Sequence, residues 1–177
     1  MQDVFIEYMV KQLRTPKQTL LKLLLIVGAI FFAIISLMFS GFLGPFAFFG
    51  PILAIAICYG AYYVISSMNV EFEYSITNGE MDVDKIIAQR RRRRLATIRW
   101  RDVETFGKYN HAEHADKEHA NKIFACDTPY SEDVWYCVTR VPQKGQIFIV
   151  FNANEKMIEA IKKYLPKQIL FSVFKRG

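Results

Sequence analysis

The stretch VEFEYSITNGEMDVDKIIA, Val70 to Ala88, decides how this chain is read. Val70, Phe72, Tyr74 and Ile76 alternate with Glu71, Glu73, Ser75 and Thr77. Successive side chains of a strand point to opposite faces, so this spacing gives one apolar and one polar face. Asn78-Gly79 follows, the pair best suited to a two-residue hairpin turn because both positions take positive φ. Met81, Val83 and Lys85 continue the alternation on a return strand. Downstream, RRRRLATIRW reads as a further strand and DVETFGKY as a short segment after Trp100. HAEHADKEHANK is polar and fits either a helix or a loop. KIFACD, DVWYCVTRV and GQIFIVFNA read as three more strands, the last two joined by PQKG at Pro142–Gly145. A closing helix is predicted over Asn154–Lys167. Asn152 or Asn154 caps it, Glu155 lies in its first turn, Met157, Ile158, Ile161 and Leu165 share its apolar face, and Pro166 marks its end.

Upstream the composition changes. The 177-residue chain carries a net charge of +6, yet Leu23 to Val70 contains no Asp, Glu, Lys or Arg. A hydrocarbon core about 30 Å thick is crossed by a helix of roughly 20 apolar residues. The stretch holds two such spans, near 20–42 and 46–68, with GFLGP at Gly41–Pro45 between them. Backbone groups in lipid must be satisfied within their own segment, so both spans are expected to be helical, and the short link makes them a hairpin. Buried helices of a soluble protein do not need so long a charge-free run. A cleaved signal peptide is shorter and is not followed at once by a second span. Ala29, Ala33, Ser36 and Ser40 in the first span, and Gly50, Ala54, Cys58 and Ala61 in the second, form stripes that let two helices approach closely. The leader VFIEYMVKQLRTPK sets Phe5, Met9 and Leu13 on one helical face. That suits a short interfacial helix ended by Pro16, and a leader without structure is the alternative.

The expected organisation is an interfacial segment over 1–19, a transmembrane hairpin over 20–68 and a soluble domain over 69–177. Lys11, Arg14, Lys17 and Lys22 precede the first span, Lys85 and Arg90–Arg94 follow the second, and the link between spans is uncharged. Positive charge stays on the cytoplasmic side, so both termini of a two-span cell-membrane protein are expected in the cytoplasm. Cys126 and Cys137 then lie in a reducing compartment as free thiols, and Cys58 lies in the membrane.

Several antiparallel strands followed by one amphipathic helix can curl into a partly open barrel plugged by that helix. On FEYSITNGEMDVDKI, on the basic strand with LATIRWRDVETFG, and on the final helix NEKMIEAIKKYL, the soluble part resembles the pleckstrin-homology-like (PH-like) domains of bacterial membrane proteins. With the leader DVFIEYMVK and the two spans, most of the chain is similar to an uncharacterised family of small two-span proteins of Gram-positive bacteria; Tyr109–Pro129 fits least. The resemblance implies an α+β membrane protein, a two-helix hairpin followed by a PH-like antiparallel β-barrel or sandwich capped by a C-terminal helix. It implies no agreed activity, and such a fold hosts many binding functions.

The run Arg90–Arg94 is the strongest charge feature. A strand from Val70 to Thr77 rises about 25 Å, at roughly 3.3 Å per residue, if it stands upright on the bilayer. Its return partner then brings Arg90, Arg91, Arg92, Arg93 and Arg94 back to headgroup level. Each basic residue near an anionic surface contributes about 1 kcal/mol. A lipid contact is the expectation drawn here. The competing readings are a solvated strand that only reinforces topology, a site for an acidic protein, and nucleic acid, against which stands the lack of an RNA-binding or helix-turn-helix pattern beside the run. One conflict stands out. Strict alternation back from Ile98 and Trp100 turns Arg92 and Arg94 toward the core. The run is therefore expected at the start of its strand or in the preceding turn, where both sets reach water.

Other candidates are weaker. His111, His114 and His119 lie among Glu113, Asp116 and Glu118, and imidazoles bind zinc. His111 and His114 share a helical face with Glu118, but tight sites draw ligands from more than one element, so no metal and no cofactor is expected. Cys126 and Cys137 read as small core residues. Trp100, Phe106, Tyr109, Trp135 and Tyr136 read as core and rim, with an aromatic peptide groove as the alternative. The tail ILFSVFKRG either packs on the barrel or touches the membrane. The expected function is a non-enzymatic, membrane-anchored binding or scaffold module docked on anionic lipid, with an unidentified protein partner. The alternative is a structural accessory subunit of a membrane complex, and the remote one a metal-dependent enzyme using His111 and His114.

Overall fold

The computed structural model describes residues 5–114, 121–142 and 145–174, which divide into two compact units. Arg14–Asn69 is the helical unit, and Met1–Leu13 with Val70–Gly177 is the unit that carries the sheets.

In the helical unit, Pro16 does not end a helix. It occupies the first turn of α1 (Pro16–Ser40), where its missing N–H is no loss. Thr15 caps α1: its Oγ1 accepts from the Gln18 N–H at 3.3 Å, and Gln18 Oε1 accepts from the Thr15 N–H at 3.1 Å. A 3-10 turn over Gly44–Phe46, entered at Gly44 with φ +53°, leads to α2 (Phe49–Ser67). The seam between the helices uses the predicted small residues. Ser36 Oγ donates to the Gly50 carbonyl at 2.8 Å, and Ser36, Gly50 and Ala54 are buried. A Cβ on Gly50 would lie 2.3 Å from Ser40 Cβ. Cys58, expected in the stripe, is exposed. The Arg14 guanidinium donates to Asn69 Oδ1 and ties the two ends of this unit together. Both helices are long and apolar enough to cross a membrane, and only 6% of each apolar stretch is buried. A core helix of a soluble protein would hide most of its surface, so the helices suggest a membrane protein.

The second unit begins with a correction. The leader is a strand, β1 (Phe5–Lys11), not an interfacial helix. Seven residues can satisfy a helical and a strand period at once, and packing arbitrates. Ile6, Tyr8 and Val10 pack on the core, while Phe5, Glu7, Met9 and Lys11 face outward. β1 pairs antiparallel with β2 (Val70–Thr77), from Phe5 opposite Thr77 to Lys11 opposite Glu71. The two apolar helices are thus an insertion between neighbouring strands. β2 turns at Asn78-Gly79 into β3 (Glu80–Ile87), as expected, with φ +46° and +91° at the two turn residues. β4 (Arg91–Arg99) completes the first sheet, in the order β1-β2-β3-β4.

The second sheet holds β5 (Val103–Lys108), β6 (Lys122–Ala125), β7 (Val134–Val141) and β8 (Gly145–Asn152), in the order β5-β7-β8-β6. A single-turn helix, α3 (His111–His114), lies between β5 and β6. Two expectations need correction. Among the described residues the sheets do not close into a barrel, and β6 runs parallel to β8. β6 lies outside β8, while β7 pairs antiparallel with β8 on its other side, so β6 and β7 run in opposite directions across the same strand.

The inner faces share one core. Phe72, Tyr74, Ile76, Met81, Val83 and Ile98 meet Cys137, Ile147, Ile149 and Phe151, and Trp100 is fully buried among them. The Tyr74 hydroxyl donates to the Ala125 carbonyl and accepts from the Asn152 N–H. The closing helix α4 (Glu155–Lys162) covers this core with Met157, Ile158 and Ile161, and Asn154 caps it by accepting from the Met157 N–H at 2.9 Å. It is shorter than predicted. The tail forms its own helix, α5 (Lys167–Phe174), after Pro166, and packs Ile169, Val173 and Phe174 on the core.

Candidate functional site

The arginine run starts an edge strand. Arg90 lies in the turn after β3, and Arg91–Arg94 are the exposed first residues of β4. The turn is tight. Ala88 and Gln89 have φ +54° and +55°, and the Arg90 N–H donates to the Ile87 carbonyl at 3.1 Å.

A one-residue bulge resolves the conflict posed by alternation. Val83 pairs with Ala96, but the next residue, Asp84, pairs with Arg94, so Leu95 is the extra residue on β4. Such a bulge reverses the parity of every residue beyond it. Ala96 is in the core and Leu95 packs against it. Arg92 and Arg94 therefore face outward with Thr97 and Arg99, not inward as strict alternation gave.

That outer face is an ordered set of charges. Glu71 and Glu73 on β2, and Glu80, Asp82 and Asp84 on β3, occupy the two central strands. Cations flank them on both edges: Lys11 on β1, and Arg92, Arg94 and Arg99 on β4. Arg92 pairs with Glu73 and lies 4.0 Å from Asp84. Arg94 reaches Asp84 at 2.6 Å and Asp82 at 2.7 Å. Lys11 lies 3.5 Å from Glu71, and Arg99 lies 3.1 Å from Glu80. Glu73 and Asp84 are directly opposite across β2 and β3, a like-charge pair that is unfavourable unless a cation bridges it. Arg92 is that bridge. The hydrogen bonds to Asp84 raise the Arg94 pKa, with a further upward push from the Asp82 and Asp84 charges.

Arg91 and Arg93 lie on the other face. Arg93 stands opposite Lys85, and Lys85 stands opposite the core residue Phe72. Arg91 stands opposite Ile87, which in turn pairs with Val70. Arg91 and Arg92 are therefore level with Val70, Glu71 and Lys11, at the end of the sheet where the chain continues into α1 and α2. Neither Lys85 nor the carboxylate set on the central strands was singled out as a site from sequence. The signal was present in the alternation of VEFEYS and MDVDK, but its meaning depends on the bulge.

The remaining candidates stay apart. His111 approaches Tyr109, with Nδ1 3.2 Å from the hydroxyl, and its ring centroid lies 4.8 Å from that of Tyr130. The His114 side chain and His119 lie outside the described residues. Among the described residues no three metal-ligating side chains cluster. Cys126 and Cys137 are buried and free. Burial pushes the Cys126 thiol up to about 12, aided by the Asp127 charge, and burial raises Cys137 as well. Both are protonated near neutrality and are poor nucleophiles. Trp100 and Phe106 are core residues, Trp135 stacks on Phe106 at 5.2 Å, and Tyr109 and Tyr136 join a second small core with Phe148.

Residues 2–171 match the family described as bacterial PH-like domain (DUF6106). No match was found among curated proteins or among solved structures. The matched span takes in both apolar helices and both sheets and reaches into α5; the chain belongs to the bacterial PH-like domain family.

Proposed function

We propose that this chain is a non-enzymatic, membrane-anchored PH-like module, held at the cytoplasmic face of the cell membrane by its helical hairpin and docked on anionic lipid through its basic run. PH-like domains commonly bind lipids or proteins and are generally non-catalytic. The carrying observation is the register of the first sheet, which sets Arg91 and Arg92 level with Val70, Glu71 and Lys11. Those are the positions from which the chain runs on into α1 and α2. The topology has its own support. β1 and β2 can pair only within one compartment, so the inserted segment crosses the bilayer an even number of times. Lys17 and Lys22 at its start favour the cytoplasm for both ends.

The test uses the full-length protein in nanodiscs of neutral and of anionic lipid, because a fragment starting at Asn69 lacks β1. Hydrogen exchange over residues 88–95 should slow in anionic lipid, less so at high salt. The effect should vanish when Arg90–Arg94 are changed to Gln. Equal exchange in both lipids would refute the docking. A second reading, an accessory subunit of a membrane complex, draws on a groove of about 380 Å³ beside the helix seam, lined by Phe32, Ile35, Phe39, Phe49 and Leu53. It predicts detergent-stable co-purification of a membrane partner that depends on the hairpin.

A further inference from the structure

The bulge at Leu95 divides the arginine run between two faces, and the faces differ in what they lack. On the outer face Arg92 and Arg94 already have carboxylates. On the other face Arg93 stands directly opposite Lys85. Side chains so paired have Cβ atoms about 5 Å apart, and like charges at that distance repel. Neither the Lys85 ammonium nor the Arg93 guanidinium has an ion-pair or hydrogen-bond partner among the described residues. Lys85 is also half-buried, beside the core residue Phe72. A partly desolvated cation gains more from a counter-ion than one in open water. Two unneutralised cations held opposite each other on adjacent strands form a pair of donors for one anion, and a phosphate offers oxygens to both. Arg91, two residues from Arg93, extends the same face.

We infer that Lys85 and Arg93, with Arg91 beside them, are the residues that take the phosphate of an anionic phospholipid headgroup, while Arg92 and Arg94 hold the sheet together. This rests on the lipid-docking reading and assigns it to one face of β4. A headgroup is favoured over a soluble phosphate because the pair lies at the end of the sheet that leads into the two apolar helices.

The experiment compares two double variants of the full-length protein in phosphatidylglycerol and phosphatidylcholine nanodiscs, reading hydrogen exchange over residues 84–94 and the melting temperature. Lys85→Gln with Arg93→Gln should abolish most of the protection that phosphatidylglycerol gives, with an unchanged or higher melting temperature in phosphatidylcholine. Arg92→Gln with Arg94→Gln should lower the melting temperature in both lipids and keep the phosphatidylglycerol increment. The reverse pattern would overturn the assignment and leave lipid docking standing. No increment in the wild-type protein would overturn docking itself. Protection by inorganic phosphate in neutral nanodiscs, without any response to phosphatidylglycerol, would overturn the headgroup as the source.

Discussion

On the inner face of the first sheet, Phe72, Tyr74, Ile76, Met81, Val83 and Ile98 are at most 2% exposed; on its outer face Glu71, Glu73 and Asp84 are nearly as hidden, at 6%, 3% and 4%. The inner face is buried because apolar surface leaves water, at roughly 25 cal/mol per Å². The outer carboxylates gain nothing from leaving water. Their burial is offset by the cations Lys11, Arg92 and Arg94 that pair with them. Burial on one face is self-sufficient, and on the other it is conditional on register.

Deleting Leu95 attacks that condition directly. Without the extra residue, Arg92 and Arg94 turn to the core side, and Glu73 and Asp84 lose their partners together. A buried charge left alone costs roughly 3–5 kcal/mol, so two such losses should abolish cooperative unfolding of the sheet unit. Leu95→Ala keeps the register and should cost only about 1 kcal/mol, because the side chain is half-buried. Calorimetry of the two variants separates register from packing.

The next effect belongs to the inner face. Phe72→Ala removes a fully packed ring and should cost about 3–5 kcal/mol, with little dependence on salt. Arg94→Gln on the outer face should cost less, about 1–2 kcal/mol, because half of the Arg94 side chain is in water. That loss should shrink in molar salt. Equal salt sensitivity of the two variants would remove the distinction between the faces.

The core also sets a limit on the alkaline side. Burial raises the Tyr74 hydroxyl and the Cys126 and Cys137 thiols. In each case the folded state keeps a proton that the unfolded chain releases earlier. Their contribution is fully present below the unfolded value, 9.0 for the thiols, and for Cys126 is lost as pH rises toward about 12. Stability should therefore fall from pH 9 upward, and Cys137→Ala should fall less steeply than the wild-type protein over the same range.

Much of this was legible in the residues. Asn78-Gly79 announced one hairpin, the charge-free stretch announced the two helices, and the start of α4 was narrowed to Asn152 or Asn154, of which Asn154 is the cap. The misses share one cause: short segments whose pattern fits two answers until a neighbour chooses. FIEYMVK fits a helix and a strand, and only β2, some sixty residues on, decides. The faces of the arginines follow from a bulge that no local residue announces. The parallel placement of β6 depends on which edge of β8 is free. The end of α4 at Lys162 and the second helix after Pro166 depend on Ile169, Val173 and Phe174 finding the core.

The two turns of the first sheet offer the smallest and cleanest test. Both place two consecutive residues at positive φ, yet one uses Asn78-Gly79 and the other Ala88-Gln89. A Cβ in the left-handed region costs roughly 1–2 kcal/mol, and Asn tolerates it better than Ala. The second turn therefore holds strain that the first does not. What keeps it in place is the pairing on either side, including Gln89 Nε2, which donates to Glu71 at 3.4 Å. Ala88→Asn relieves the strain without touching that bond or adding glycine's freedom to the unfolded chain. It should stabilise the sheet unit by about 0.5–1 kcal/mol, read as a rise of a few degrees in melting temperature. The gain should persist in the Arg92→Gln and Arg94→Gln variant, because turn strain and face charge then act independently. If it disappears there, the charges are what force Ala88 and Gln89 into the left-handed region, and the outer face dictates the turn rather than the reverse.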